Sequence, residues 1–279
     1  MTVGIAGIGL IGGSFARDYK AAGHKVYVYD RKQSVIDYAK LAGVADDALN
    51  ENNIGECDLV LIALFPDDTI SYIKKMGPFF SKNAIVMDCG GTKRVITEAG
   101  FEAAENYGFT YVGAHPMAGT QFSGFKNSMQ HMYKGQPMVI VPSKSDDIEL
   151  LQRIKDILAP AEFGHITVTT ASEHDRIIAF TSQMAHVVSC AYVKSPTAQN
   201  HLGLSAGSYK DMTRVAHLNE VMWTQLMLEN GDNLVKELDW FIKSLQDFRD
   251  SISDGDEDRL RNLLKEGREL KEKVDGQND

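Results

Sequence analysis

Residues 2 to 14, Thr-Val-Gly-Ile-Ala-Gly-Ile-Gly-Leu-Ile-Gly-Gly-Ser, leave the chain few folds to choose from. A short apolar run breaks into Gly7-x-Gly9-x-x-Gly12 and resumes as apolar helix formers to Ala22, which reads as strand, tight turn and helix start. Gly7 permits the turn, Gly9 lets backbone approach a pyrophosphate, and Gly12 lets helix and strand pack closely. The free N–H groups at the helix start, those of Leu10 and Ile11 among them, then face phosphate along the positive end of the helix dipole. Lys25 to Tyr29 reads as a second strand ending in Asp30, eighteen residues after Gly12, which is the spacing of an acid that binds the adenosine ribose hydroxyls. Asp30 favours NAD by repelling a 2′-phosphate, whereas the neighbouring Arg31 would accept one and so leaves NADP open.

The same alternation continues down the chain. Ser34 to Ala42 reads as a helix stopped by Gly43, Asp58 to Phe65 as a strand buried on both faces, and Thr69 to Met76 as a helix. Ala84 to Met87 is another buried strand, closing on Asp88-Cys-Gly-Gly-Thr-Lys93 before a helix to about Tyr107. Tyr111 to Ala114, Met138 to Val141 and Ile166 to Thr169 are further strands, with a helix over Asp146 to Leu158. The spacing predicts an α/β fold: a Rossmann-type, doubly wound, mostly parallel sheet whose ligand crevice lies at the strands' carboxyl ends. Asp88 and His115 both fall at that edge, so Asp88 joins the cofactor set. His115 is either a catalyst or a structural histidine.

After about residue 170 the strand pattern stops. Helices are expected over Ser172 to Val193, Asp211 to Glu229, Asp232 to Ser253 and Glu257 to Val274, with a frayed tail over Gly276 to Asp279. This divides the chain into a dinucleotide domain, 1–170, and an all-helical domain, 171–279. Asp175, Ser182 and His186 are spaced by 7 and 4, within about 40° on a helix, so they share one stripe, either a solvent face or a pocket lining. Lys210 and Arg214 fall near the start of an expected helix, where the dipole favours acids. They either bind a carboxylate or answer Asp211 and neighbouring helices.

Charge narrows the partners. Lys and Arg total 29 against 38 Asp and Glu, a net charge of −9, so nucleic acid and anionic membranes are repelled and an anionic substrate needs a local basic pocket. The three cysteines have neither CxxC spacing nor interleaved histidine, which argues against disulfides and a metal site. The longest apolar run, Leu59 to Phe65, is far below the roughly 18 residues of a membrane span. With no basic leader before the first strand, a cytoplasmic setting is expected.

Taken together, the glycine loop, Asp88-x-Gly-Gly-Thr-Lys93, His115-Pro-Met-Ala-Gly119, Ser123-Gly124, His174-Asp175, Ser182-Gln-Met-Ala-His186 and Asp211-Met-Thr-Arg214 with Trp223 resemble the prephenate dehydrogenases of tyrosine biosynthesis. The resemblance runs from end to end. It implies oxidative decarboxylation of prephenate with NAD to 4-hydroxyphenylpyruvate, His115 as the base, Arg214 on a substrate carboxylate, His186 lining the same pocket, and a homodimer paired through the helical domain. It also marks departures: Gly91 where a serine is common, with Thr92 next door as its replacement; Gln121 where an acid is common; and Gln183 where a histidine is common. Arogenate dehydrogenase, a 3-hydroxyacid dehydrogenase or imine reductase, and a dinucleotide-sensing module remain as other readings.

Overall fold

The computed structural model describes residues 1–120 and 122–276; Gln121 and the end of the expected tail, 277–279, lie outside the described residues. Eight strands, β1 (Thr2–Ala6), β2 (Lys25–Tyr29), β3 (Asp47–Ala48), β4 (Leu59–Ile62), β5 (Ile85–Asp88), β6 (Thr110–Pro116), β7 (Pro137–Pro142) and β8 (His165–Val168), form one sheet in the order β3-β2-β1-β4-β5-β6-β7-β8. Neighbours are parallel except β6 with β7. Strand order reverses between β1 and β4, where Val3 pairs with Val26 on one side and Leu59 on the other, so the ligand crevice opens beyond Ala6 and Ile62. β4 and β5 are buried at every position because helices cover both faces, which is why they read as unbroken apolar runs. β3, two residues long, carries no alternation, and the sequence pattern misses it.

Helices α1 (Leu10–Ala21), α2 (Gln33–Leu41), α3 (Pro66–Met76), α4 (Arg94–Tyr107) and α5 (Ile148–Leu158) connect the strands. α3 starts three residues before its expected Thr69 because Pro66 suits a first helical position and Asp67 and Asp68 answer the dipole. α1 is tied to the segment after β6: Tyr133 donates to the Ile11 carbonyl (2.6 Å), Ser14 Oγ accepts from Met129 N (3.1 Å), Arg17 Nε donates to Ser128 Oγ (3.0 Å), and Asp18 accepts from His131 N (2.8 Å). A methyl group on Gly13 would meet Phe125 and Ser128 side-chain atoms at 2.8 Å.

Two helical expectations need correction. The helix expected over Ser172 to Val193 is α6 (Ala171–Ile178), a π-helical stretch Ala179–Met184, and α7 (Ala185–Tyr192). The wider π turn shifts the register, so Gln183 rather than Ser182 shares the buried side with Asp175, while Ser182 is half-buried. The helix expected over Asp211 to Glu229 is two, α8 (Gly207–Thr213) and α9 (Glu220–Glu229), separated by a short 3-10 turn from Arg214 and by extended His217. Asn219 starts α9 afresh, its side chain accepting from Met222 N at 2.9 Å. Lys210 and Arg214 therefore stand at a helix's carboxyl end, where cations are favoured, and the apparent charge mismatch disappears.

The chain forms two compact units, Met1–Gly231 and a second from Asp232. The first extends past residue 170 because α6 and α9 are hydrogen-bonded to the loop after β5, as described below. The second consists of α10 (Gly231–Ser253, all but its first residue) and α11 (Glu257–Asp275), which starts on Asp256 accepting from Arg259 N (3.0 Å) and is joined to α10 by Arg259 on Asp247 (2.8 Å). No helix among the described residues is long and apolar enough to cross a membrane.

Candidate active site

The glycine loop has the geometry its spacing predicts. Gly7 sits at φ +86°, and an added Cβ there would meet the Ala63 carbonyl at 2.4 Å; one on Gly12 would meet the Gly7 carbonyl at 2.0 Å. Gly9 differs, with nothing within 4 Å of an added Cβ, so its outer face is the open side of a cradle. Gly9 caps α1 without a side-chain hydrogen bond and the first turn holds no acid, leaving the Leu10 and Ile11 end of the helix receptive to phosphate. Asp30 follows β2 directly and its Oδ1 accepts from Lys32 N at 3.0 Å. Arg31 is 3.6 Å from Asp68 at the start of α3, a mostly exposed pair that gives the guanidinium a carboxylate partner.

Asp88 is placed otherwise than expected. Its carboxylate is fully buried, pairs with the equally buried Lys93 ammonium, and accepts from Gly90 N (2.8 Å), Tyr111 OH (2.7 Å) and Ala114 N (3.1 Å). This is a lock between β5, β6 and the loop joining β5 to α4, rather than a cofactor contact. Thr92 is corrected too: it is 1% exposed and its hydroxyl donates to Glu229 Oε2 on α9 at 2.5 Å, so it is committed to the helical half. Burial pushes the Glu229 carboxyl up, with the Thr92 bond opposing. A side chain at Gly91 would press on Leu226, at 3.2 Å from its Cβ position.

His115 lies inside β6, one residue before the strand ends, so its backbone is fixed by pairing with Val139. Its Nδ1 is 2.9 Å from His174 Nε2 on α6, and His174 Nδ1 is 2.7 Å from Asp175 Oδ1. Asp175 in turn accepts from the backbone N–H of Lys93 (2.7 Å) and Arg94 (2.9 Å), capping α4 from 81 residues away. Burial lowers the affinity of His115 for a proton well below that of an ordinary imidazole, and His174 and Lys93 lower it further. Asn230 closes the cluster, donating to the Asp175 carbonyl and to Gln183 Oε1, both at 2.8 Å, while Gln183 donates to the Leu226 carbonyl (2.8 Å). Gln183, 1% exposed, is thus a buried tie between α7's approach and α9. Sequence reasoning gave His174, Glu229 and Asn230 no role; the adjacent His174-Asp175 pair was the available signal.

The chain leaving His115 forms one wall of a cleft of about 670 Å³, lined by Gly119, Thr120, Phe122, Lys126, Met129 and Arg214. Arg214 and Lys126 make this cleft locally cationic in an acidic protein. His186 stacks on Trp223, ring centroids 3.7 Å apart at 29°, and its Nδ1 donates to the Ser182 carbonyl at 2.9 Å. Burial, then the Arg214 charge, keep that imidazole below its ordinary pKa, so His186 is neutral and presents a bare Nε2, an acceptor. Lys210 is exposed on α8, and Gln121 lies outside the described residues.

Fold and site define a dinucleotide-binding protein with a buried histidine pair behind its sixth strand and a cationic cleft walled by the loop that follows that strand. Family models for "prephenate dehydrogenase, nucleotide-binding domain" and "prephenate dehydrogenase, dimerization domain" match residues 15–167 and 170–266. The chain belongs to the prephenate dehydrogenase family, a family of oxidoreductases. Cyclohexadienyl dehydrogenase of Zymomonas mobilis is 29% identical over 96% of this chain and 94% of its own. The structure of Aquifex aeolicus prephenate dehydrogenase, in complex with hydroxyphenyl propionate and NAD+, superposes with a TM-score of 0.82 at 27% identity, covering 98% of both chains. Synechocystis arogenate dehydrogenase superposes at 0.80 with 25% identity, over 98% of this chain and 100% of that one.

Proposed function

We propose that this chain oxidises prephenate with NAD, releasing carbon dioxide and 4-hydroxyphenylpyruvate, with residues 1–170 serving the nucleotide and 171–279 the substrate and the dimer. The observation that carries this reading is the placement of His115 on a rigid strand whose following loop walls the Arg214 cleft. NAD, when bound along Gly7, Gly9 and Gly12, supplies the hydride acceptor. His115 takes the proton of the ring hydroxyl as hydride leaves the carbon bearing it, Arg214 grips a carboxylate, and the neutral His186 offers an acceptor beside the indole of Trp223. Thr92 acts through Glu229 as a positioning residue. Likeness to an arogenate dehydrogenase supports a second reading, in which arogenate replaces prephenate in the same cleft. The deciding experiment measures NADH or NADPH formation with each substrate and each cofactor; no oxidation of either substrate sinks the proposal.

Asp30→Ala is expected to erode the preference for NAD, because it removes a ribose acceptor and a charge opposed to a 2′-phosphate. Arg31, already facing Asp68, then gains influence. Comparison of kcat/KM for the two cofactors checks this, and tighter use of NADP by the natural protein would reverse the assignment.

Arg214→Ala is expected to act mainly on KM, since a carboxylate is held alike in substrate and transition state. Arg214 stands exposed on the cleft wall, so the loss should be about 1.5–3 kcal/mol, roughly 10- to 150-fold in kcat/KM. A fall in kcat with KM unchanged would reject this role.

A homodimer through the helical half accounts for exposed apolar side chains there: Ile177, Phe180, Val221 and Leu228 in the first unit, Trp240 and Leu245 on α10. Light scattering at micromolar concentration should give twice the chain mass; a monomer would refute it.

A further inference from the structure

Asp175 anchors a line of hydrogen bonds whose direction can be worked out from its fixed end. Its Oδ1 accepts from Lys93 N (2.7 Å) and its Oδ2 from Arg94 N (2.9 Å) and Arg94 Nε (3.3 Å). Backbone N–H groups can only donate, so both carboxylate oxygens act as acceptors. The contact of Oδ1 with His174 Nδ1 at 2.7 Å therefore needs the proton on the His174 nitrogen. His174 is 4% exposed, and burial disfavours its charged form, so it carries one ring proton, and that one is on Nδ1. Its Nε2 is then a lone pair, and the 2.9 Å contact with His115 Nδ1 must run from His115 to His174.

We infer that His174, held by Asp175, is a positioning residue that selects the His115 tautomer protonated on Nδ1, leaving Nε2 bare as the proton acceptor of the oxidation. This rests on the dehydrogenase reading given above. In the reaction the substrate O–H bond breaks as its proton forms a bond to His115 Nε2, the hydride leaves the carbon bearing that oxygen for NAD, and the freed O–H electron pair closes the carbonyl. The resulting imidazolium keeps its Nδ1–H on His174, whose own Nδ1–H remains on the Asp175 carboxylate, so the charge created is met without any group moving. The groups facing this line are Asp88 at the end of β5, Lys93 from the loop after it, and Arg94 from α4; Lys93 is paired with Asp88, and Arg94 contacts Asp175. The same line explains why a helix start without its own capping side chain is tolerated at Lys93: the carboxylate that orients the histidines is also the cap.

Long-range 1H–15N correlation of the histidine rings in the NAD-loaded protein, with His115 assigned by comparison with His115→Asn, tests the inference without relying on turnover. The natural protein should show His115 protonated on Nδ1. His174→Phe removes the acceptor and should shift His115 toward the Nε2-protonated form. The same variant should lower kcat about 10- to 100-fold, with NAD affinity and substrate KM within about threefold, and displace the acid limb of the kcat profile. His174→Gln, whose Oε1 can accept from His115 Nδ1–H, should recover much of the kcat. Nε2 protonation of His115 in the natural protein overturns the inference even if His174→Phe does not fold, as does an unchanged tautomer and pH profile in a folded His174→Phe. Failure of the natural protein to oxidise prephenate or arogenate would reject the dehydrogenase reading instead, while the tautomer would still be read.

Discussion

Replacing His115 by asparagine is expected to lower kcat by roughly 10²- to 10⁴-fold, the range for loss of a general base, and to leave NAD affinity nearly intact. That is about 3 to 5.5 kcal/mol of transition-state stabilisation. The separation of effects follows from the fold: the glycine cradle lies beyond β1, whereas His115 is carried by β6, three strands away across the sheet. Its proton is gained only as hydride departs, so substrate binding should change little. The pH profile supplies an independent check. Burial holds His115 below the ordinary imidazole pKa, so the base form persists as pH falls into the range where a free histidine would be protonated, and activity declines only lower, through the depressed value. In His115→Asn that limb should vanish. Near-normal kcat in the variant would make His115 structural and move the base to His186 or to a bound water.

Lys93→Met should be the most damaging single change to stability, at about 3–5 kcal/mol, because it strands a buried carboxylate. Both partners of the Asp88–Lys93 pair are fully buried, and among the described residues the Asp88 carboxylate then retains Gly90 N–H, Ala114 N–H and the Tyr111 hydroxyl. For a chain of this size that loss corresponds to a fall in Tm on the order of 10 °C. Asp88→Asn in the Lys93→Met background removes the stranded charge and should recover part of the loss, which a double-mutant cycle of denaturant midpoints would read. If the two single losses simply add, the pair is not coupled and the lock has another source. The lock also bears on catalysis, since Ala114 N, one of its donors, is the neighbour of His115.

These residues also mark what can be read from sequence. The sheet was legible because each strand's burial is written in its own residues: Leu59 to Ile62 are apolar throughout, and Gly7 and Gly12 sit where an added side chain would strike backbone. The position of His115 was legible because a strand's carboxyl end is a local property. Asp88, Thr92 and Gln183 were not, because the destination of a polar side chain depends on what the fold brings to it. Thr92 meets Glu229 from 137 residues away and Asp175 caps α4 from 81. The shared stripe of Asp175, Ser182 and His186 failed for a related reason: a 100° rotation per residue holds only while the helix stays α, and Ala179–Met184 does not. The break before α9 was signalled by Asn219, a good capping residue followed by an acid, but helical spacing on both sides concealed it.

The close fit of α1 against the 125–133 segment has a consequence for anyone who treats the nucleotide half as an interchangeable cartridge. Gly13 has no room for a methyl group, and Ser14, Arg17 and Asp18 each hold a residue between Ser128 and His131. Ser128 and Met129 themselves line the cationic cleft. A transplanted dinucleotide module would bring the outer face of its own first helix, and the recipient's cleft wall would lose its moorings even if every cofactor contact were reproduced. Changing cofactor in this chassis therefore calls for edits at the end of β2, around Asp30 and Arg31, which do not touch that wall, rather than for exchange of the glycine-rich helix.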